Sequence, residues 1–270
     1  MESRVPGISQ FLIQVQGDDR EALLDYAIAE GHGVEIADFT RPDLLDDERA
    51  CARLVAWYRE RLGQVRGLVS FHGAFRELLP SATDAKVRAA ARNRVAQTLA
   101  IAEETGASSI VFHSDFNLGG DSAAWAQRQA AFWRETTAQR TIGLLLENCV
   151  EPGWAVVKAA IDAIGLPSVG VCFDAAHANL AGRIWATWTG DSAWESPADW
   201  LTHLGSLVRC LHLSDNDLTG DTHLAPGHGK VGWKAFLGAL ADTGLQLPAA
   251  IEVAGIEGAR ETIAYLRSLW

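Results

Sequence analysis

Positive charge is in short supply. Against 34 acidic residues stand 23 Lys and Arg, a net charge of −11. That balance argues against a surface that gains affinity by neutralising phosphates, so nucleic acid is not an expected partner. Cysteine is scarce too: Cys51, Cys149, Cys172 and Cys210 show no paired spacing. Neither a disulfide framework nor a thiolate zinc site is expected, and the four read as small core residues of a reducing compartment. No apolar run approaches the roughly 18 residues of a membrane span. The opening Met-Glu-Ser-Arg-Val-Pro-Gly lacks a basic-then-apolar signal pattern, which makes a cytoplasmic protein with no membrane partner the expectation. Nucleotide cradles are also missing. The first apolar run is followed by Gln-Gly-Asp-Asp-Arg rather than G-x-G-x-x-G, and G-x-x-x-x-G-K-[ST] occurs nowhere.

What is present is alternation. Eight short apolar runs recur, at 8–15, 33–38, 67–72, 109–113, 142–147, 169–174, 208–213 and 249–253. Stretches with helical periodicity separate them, at 18–29, 43–62, 84–104, 123–137, 153–164, 197–207, 233–243 and 257–269. Strands too apolar to have a wet face imply a parallel sheet covered by helices. Eight such units in 270 residues predict one closed (β/α)8 barrel, a single domain over residues 1–270.

A barrel of this kind carries its chemistry at the C-terminal ends of its strands. Six successive runs end in a metal-ligating or acid–base side chain: His72, His113, Glu147, Asp174 (with His177 three residues on), His212 and Glu252. The second run carries Glu35 and Asp38 less regularly. A single histidine here is ordinarily hydrogen-bonded packing and a single glutamate ordinarily pairs with arginine. Six at one end of one barrel are a different matter. Two carboxylates about 4 Å apart repel by roughly 4 kcal/mol at an effective dielectric near 20, and Glu147, Asp174 and Glu252 converge on one mouth with few basic residues nearby. A divalent cation is the simplest resolution. Mixed carboxylate and imidazole ligation suits Mn, Zn, Fe or Co, and Mg less well. Cys172 and Cys210 precede Asp174 and His212 by two positions, and Cys149 follows Glu147 by two, so they share a face with these residues at another depth.

The segment 181–200 reads as a loop-like insertion bearing Trp185, Trp188, Trp194 and Trp200. It is expected to form a small hydrophobic cluster or the contact of a homodimer. The functional alternative is a lid whose indoles face the substrate.

The strand-end motifs Phe71-His72-Gly73, Phe112-His113-Ser114, Leu146-Glu147-Asn148, Phe173-Asp174-Ala175-Ala176-His177, Leu211-His212-Leu213-Ser214-Asp215, Asp221-Thr222-His223 and Ile251-Glu252 together resemble the xylose isomerase-like TIM barrels. That group includes sugar and sugar-phosphate isomerases and epimerases together with the endonuclease IV relatives. The resemblance implies a shared metal site of Glu147, Asp174, His212 and Glu252. In epimerase-like members it implies Glu147 and Glu252 as the catalytic acid–base pair, with His177 on the substrate, a small sugar, sugar derivative or polyol. His72, His113, His228 and Lys230 are further candidate substrate-binding residues. A related inosose-type dehydratase would use the same parts. The endonuclease-like alternative, a multinuclear zinc phosphoesterase, would add metal sites from His72 and His113 with Glu147, and from His177, Asp221 and His223. One ion is expected under the first reading and up to three under the second. Two departures stand out. Gly227-His228-Gly229 replaces the frequent Gly-Glu-Gly. The loops are acidic rather than basic, with Asp115, Asp121, Asp191, Glu195, Asp215 and Asp217 outweighing Arg76, Arg183 and Lys230.

Overall fold

The structure, a computed structural model, describes residues 5–116, 120–137, 140–190 and 195–270. Strands β1 (Ile8–Val15), β2 (Gly33–Ile36), β3 (Val69–His72), β4 (Ser109–His113), β5 (Gly143–Glu147), β6 (Val169–Asp174), β7 (Val208–Leu213) and β8 (Leu247–Ile251) pair in chain order, all parallel. β8 pairs with β1 and closes the ring. The helices are α1 (Arg20–Glu30), α2 (Pro42–Asp46), α3 (Glu48–Leu62), α4 (Ala85–Glu104), α5 (Ser122–Thr137), α6 (Trp154–Ile164), α7 (Ala175–Thr189), α8 (Pro197–Leu204), α9 (Trp233–Thr243) and α10 (Gly255–Ser268). This is the single (β/α)8 barrel that the alternation predicts. Among the described residues no helix is long and apolar enough to cross a membrane.

Between sheet and helices lies the main core, where Phe39, Phe71, Phe112, Phe173 and Phe236 are fully buried. Each such ring contributes about 1.5–3 kcal/mol by leaving water. A second, smaller cluster fills the inside of the ring: Leu12, Val111, Leu145, Cys172, Cys210 and Ala250. Because strand side chains alternate with period two, the residues two positions on share that inward face one layer higher. They are Gln14, His113, Glu147, Asp174, His212 and Glu252. The apolar layer is thus the floor under the polar mouth, and Cys172 and Cys210, opposite each other in the β6–β7 register, belong to it.

Three segments depart from expectation. The helix read over 43–62 is divided, because the Asp47 carboxylate accepts a hydrogen bond from the Ala50 amide at 2.9 Å and starts α3 afresh. β2 stops at Ile36; Asp38 opens a short 3-10 turn and is tied to Arg20 at 2.8 Å and Tyr58 at 2.7 Å. The third concerns 181–200, whose described residues are largely helical rather than a loop. The Asp174 carboxylate caps α7 by accepting from the His177 amide at 2.6 Å, and the helix runs to Thr189. Trp185 donates to the Val150 carbonyl at 2.7 Å and packs on Phe116 and Trp188. Trp200 is buried beside Phe173, whereas Trp188 is 53% exposed. Trp194 and Asp191 lie outside the described residues.

Candidate metal centre and active site

At the C-terminal mouth the strand ends converge as expected. One ligand atom from each of Glu147, Asp174, His212 and Glu252 lies within 4.8 Å of all the others, and the four side chains are buried. A second group, His72, Glu147 and His212, meets the same criterion. Both Glu147 oxygens, Asp174 Oδ2 and His212 Nδ1 are buried without a hydrogen bond, a costly arrangement for groups that would otherwise hold water.

The imidazoles explain why a cation fits here. His72, His177 and His223 each set Nδ1 against a main-chain carbonyl: Gly73 at 3.0 Å, Asn148 at 3.0 Å and Glu252 at 2.9 Å. A carbonyl only accepts, so Nδ1 carries the proton and a neutral ring turns its Nε2 lone pair the other way. In all three cases a carboxylate stands there. His72 Nε2 is 3.3 Å from Glu147 Oε2, while His177 Nε2 and His223 Nε2 are each 3.3 Å from Asp221 Oδ2. His113 Nε2 approaches Glu147 Oε2 at 3.4 Å, and His212 Nδ1 lies 3.3 Å from Glu147 Oε2 and 3.2 Å from Glu252 Oε2. Acceptor facing acceptor is repulsive unless the ring takes a second proton or a metal ion lies between them.

Without a metal, the protons respond accordingly. Burial disfavours charge on His177 and His212, yet the carboxylates around them raise both well above the usual histidine range. His223 is raised to about 9, chiefly by its hydrogen bond to Asp221. Burial, together with Glu147 and Glu252, pushes the Asp174 carboxyl up to about 6. Glu252 is held at about 2, because His212 outweighs the opposing effect of burial.

The mouth opens into a cavity of about 370 Å³, in the range of small-molecule sites, about 300–1,000 Å³. His72, His113, Glu147, His177, Asp221, His223 and Glu252 line it, with Gln14, Gln16, Thr40, Phe75 and Arg76. Arg76 is the one Lys or Arg on that wall among the described residues. Two residues proposed from sequence stand apart from it. His228 points outward to Glu261 at 2.7 Å, both side chains more than half exposed. Lys230 is exposed, its amide donating to the Asn216 carbonyl at 2.7 Å. No tryptophan of 181–200 among the described residues lines the cavity.

Two of the acidic loop residues turn inward instead of forming a rim. Asp215, fully buried, accepts from the Gly227 and Val231 amides and from Trp233 Nε1, at 3.0, 2.9 and 2.9 Å. A Cβ on Gly229 would stand 2.2 Å from its carboxylate, which requires glycine there. Asp115 likewise accepts from the Ser81 amide and Trp125 Nε1. Sequence reasoning also passes over Asn148, whose amide side chain clamps the Asp174 main chain through two 2.9 Å hydrogen bonds. It underrates Glu35 and Gln14 as well. Glu35 Oε2 is 3.2 Å from His212 Nε2, and Gln14 donates to both Glu35 and Glu252. An acidic residue in mid-strand, on the face that elsewhere ends in ligands, was the available signal.

A closed (β/α)8 barrel with a histidine and carboxylate cluster at the C-terminal mouth of its strands is the class of protein that this fold and site define. The family described as xylose isomerase-like TIM barrel matches residues 26–269, and the chain belongs to it. Comparison with curated proteins gives no match. Among solved structures, the TTHB071 protein of Thermus thermophilus, soaked with ZnCl2, is 27% identical with a TM-score of 0.72, over 96% of this chain and 97% of that one. A D-tagatose 3-epimerase-like protein is 18% identical, TM-score 0.73, over 96% of each chain. A D-psicose 3-epimerase solved with D-fructose is 16% identical, TM-score 0.67, over 95% of this chain and 94% of that one.

Proposed function

We propose that the protein is a metal-dependent isomerase or epimerase of a small sugar, sugar derivative or polyol. The observation that carries this reading is the cluster of Glu147, Asp174, His212 and Glu252, with ligand atoms within 4.8 Å of one another, two of whose glutamates open on one cavity. These four residues would hold the ion, Mn, Zn, Co or Mg. When bound, such an ion supplies Lewis-acid polarisation of a carbonyl and its neighbouring hydroxyl, making the intervening C–H more acidic. Glu147 and Glu252, both on the cavity wall, would serve as base and acid: the ionised one takes that proton and the other, entering the step protonated, returns one to the opposite face. His177, fixed by Asn148 and Asp221, orients a substrate oxygen. A dehydratase acting on an inosose-type substrate would use the same groups. The epimerase named among the similar structures and the zinc soak of the Thermus relative are consistent with this class.

Turnover is tested on a library of ketoses, polyols and inososes, with the native metal retained and deuterium incorporation from D2O followed by mass spectrometry. Glu252→Gln should fold normally and lose turnover by about 100-fold or more, the usual scale for a general acid or base. Undiminished turnover in that variant would remove the acid–base assignment.

A second reading, a multinuclear zinc phosphoesterase, is favoured by one observation. The confrontation of lone pairs recurs at His72 with Glu147 and at His177 and His223 with Asp221, and His113 Nε2 lies 3.4 Å from the same Glu147 oxygen as His72. A lone arginine on the wall speaks against a phosphodiester track. Elemental analysis of protein purified without added metal separates the two. About one ion per chain supports the isomerase class, and close to three zincs supports the phosphoesterase.

A further inference from the structure

His212 differs from its neighbours in how it is held. His72, His177 and His223 rest on main-chain carbonyls, partners that no substitution removes. The corresponding contact of His212 is a side chain: Nε2 lies 3.2 Å from Glu35 Oε2, and both side chains are 0% exposed. Glu35 Oε1 in turn accepts from Gln14 Nε2 at 3.3 Å, and the same amide group donates to Glu252 Oε1. Gln16 Nε2 donates to Gln14 Oε1 at 3.0 Å, which settles which end of the Gln14 amide faces the carboxylates. Glu35 itself belongs to neither group of converging ligand atoms.

An ionised carboxylate only accepts, so a neutral His212 beside Glu35 keeps its proton on Nε2 and turns the Nδ1 lone pair toward Glu147 and Glu252. The other tautomer would set a lone pair against Glu35 and an N–H where an ion must be ligated. We propose that Glu35, braced by Gln14, is the positioning residue of the metal centre: it fixes the tautomer and ring orientation of His212 and, through Gln14, the orientation of Glu252. This inference rests on the reading above that Glu147, Asp174, His212 and Glu252 hold a divalent ion. Its physical basis is the general dependence of a ligating histidine on the acceptor behind it.

The test compares parent and Glu35→Gln for zinc affinity by competition with a chromophoric chelator, for the visible absorption of the cobalt(II)-loaded protein, and for melting without metal. Glu35→Gln should bind zinc about 10–100-fold more weakly, the usual effect of losing such a partner, with a shifted cobalt spectrum. Should that variant fail to fold, Glu35→Asp, which keeps the charge but loses the reach, takes its place with the same expectation. Parental zinc affinity and cobalt spectrum in the variant would overturn the positioning role while leaving the metal site intact. A loss of affinity with a lowered metal-free melting temperature and an unshifted cobalt spectrum would overturn it in favour of simple packing. A parent that binds no zinc, cobalt or manganese would remove the metal reading, and this inference with it.

Discussion

Asp174→Asn should have opposite effects on stability with and without metal. In the metal-free protein the Asp174 carboxyl stands at about 6 rather than its ordinary 3.8, burial being the main cause and the nearby Glu147 and Glu252 adding to it. At about 1.4 kcal/mol per pH unit, carrying that charge costs the folded state about 3 kcal/mol at pH 7.5. The sign follows from proton counting. Between about pH 4 and 6 the folded state binds the proton more tightly than the unfolded chain, so stability falls as pH rises through this window. Asparagine avoids the penalty and keeps the geometry. Its carbonyl can still cap α7 at the His177 amide, and the Asn148 clamp acts on main-chain atoms. For 270 residues, 3 kcal/mol is about 5 °C of melting temperature. In chelator at pH 7.5 the variant should therefore melt about 5 °C above the parent, and the two should coincide at pH 4. An ion at a thousandfold its dissociation constant stabilises the parent by about 4 kcal/mol, or about 7 °C. The variant, lacking one ligand, gains less and falls below it. Differential scanning calorimetry in EDTA and in saturating zinc or manganese reads all four values. A variant less stable than the parent in EDTA at pH 7.5 would refute the electrostatic account of the mouth.

Two other outcomes follow from the same geometry. His223, raised to about 9 mainly by Asp221, contributes stability that is fully present below about pH 6.5 and lost as pH rises through 9. Its ring proton resonances in the metal-free protein should titrate near 9 and move toward 6.5 in Asp221→Asn; an unchanged midpoint would mean that another group sets it. Burial raises Cys51 and Cys172 and pushes the Cys149 thiol up to about 12, so these three should resist an aromatic disulfide reagent in the folded protein and react once it is denatured. Rapid native labelling at Cys149 would show that burial does not shield the segment beyond the end of β5.

The strand ends were legible because two periodicities coincide. Apolar runs mark strands, and the closed ring puts their C-terminal residues at one mouth, so Glu147, Asp174, His212 and Glu252 meet there as the pattern requires. The α7 helix was obscured by its tryptophans and by the glycine and proline that follow. Its start depends on Asp174 acting as a cap as well as a strand end, and spacing alone does not assign one carboxylate two tasks. His228, which the sequence offers equally as a site residue or as a solvated loop residue, is the opposite case. Its place between glycines near the site motif suggests a ligand, yet Gly227 and Gly229 are there to wrap the buried Asp215, which leaves the intervening side chain facing Glu261. Glu35 carried a signal as an acidic residue in mid-strand, but its pairing with Gln14 and His212 was beyond reach, because it joins β1, β2 and β7 across the ring.

The hydrogen bond from Gln14 to Glu252 spans 238 positions of the chain and crosses the seam where the first strand meets the last. A growing polypeptide therefore has no complete mouth until its final strand is in place, and a half-made ring offers only scattered carboxylates. The four converging ligands all come from the ends of β5 to β8, so it is the Gln14 contact that latches the seam and ties the first strand into the mouth.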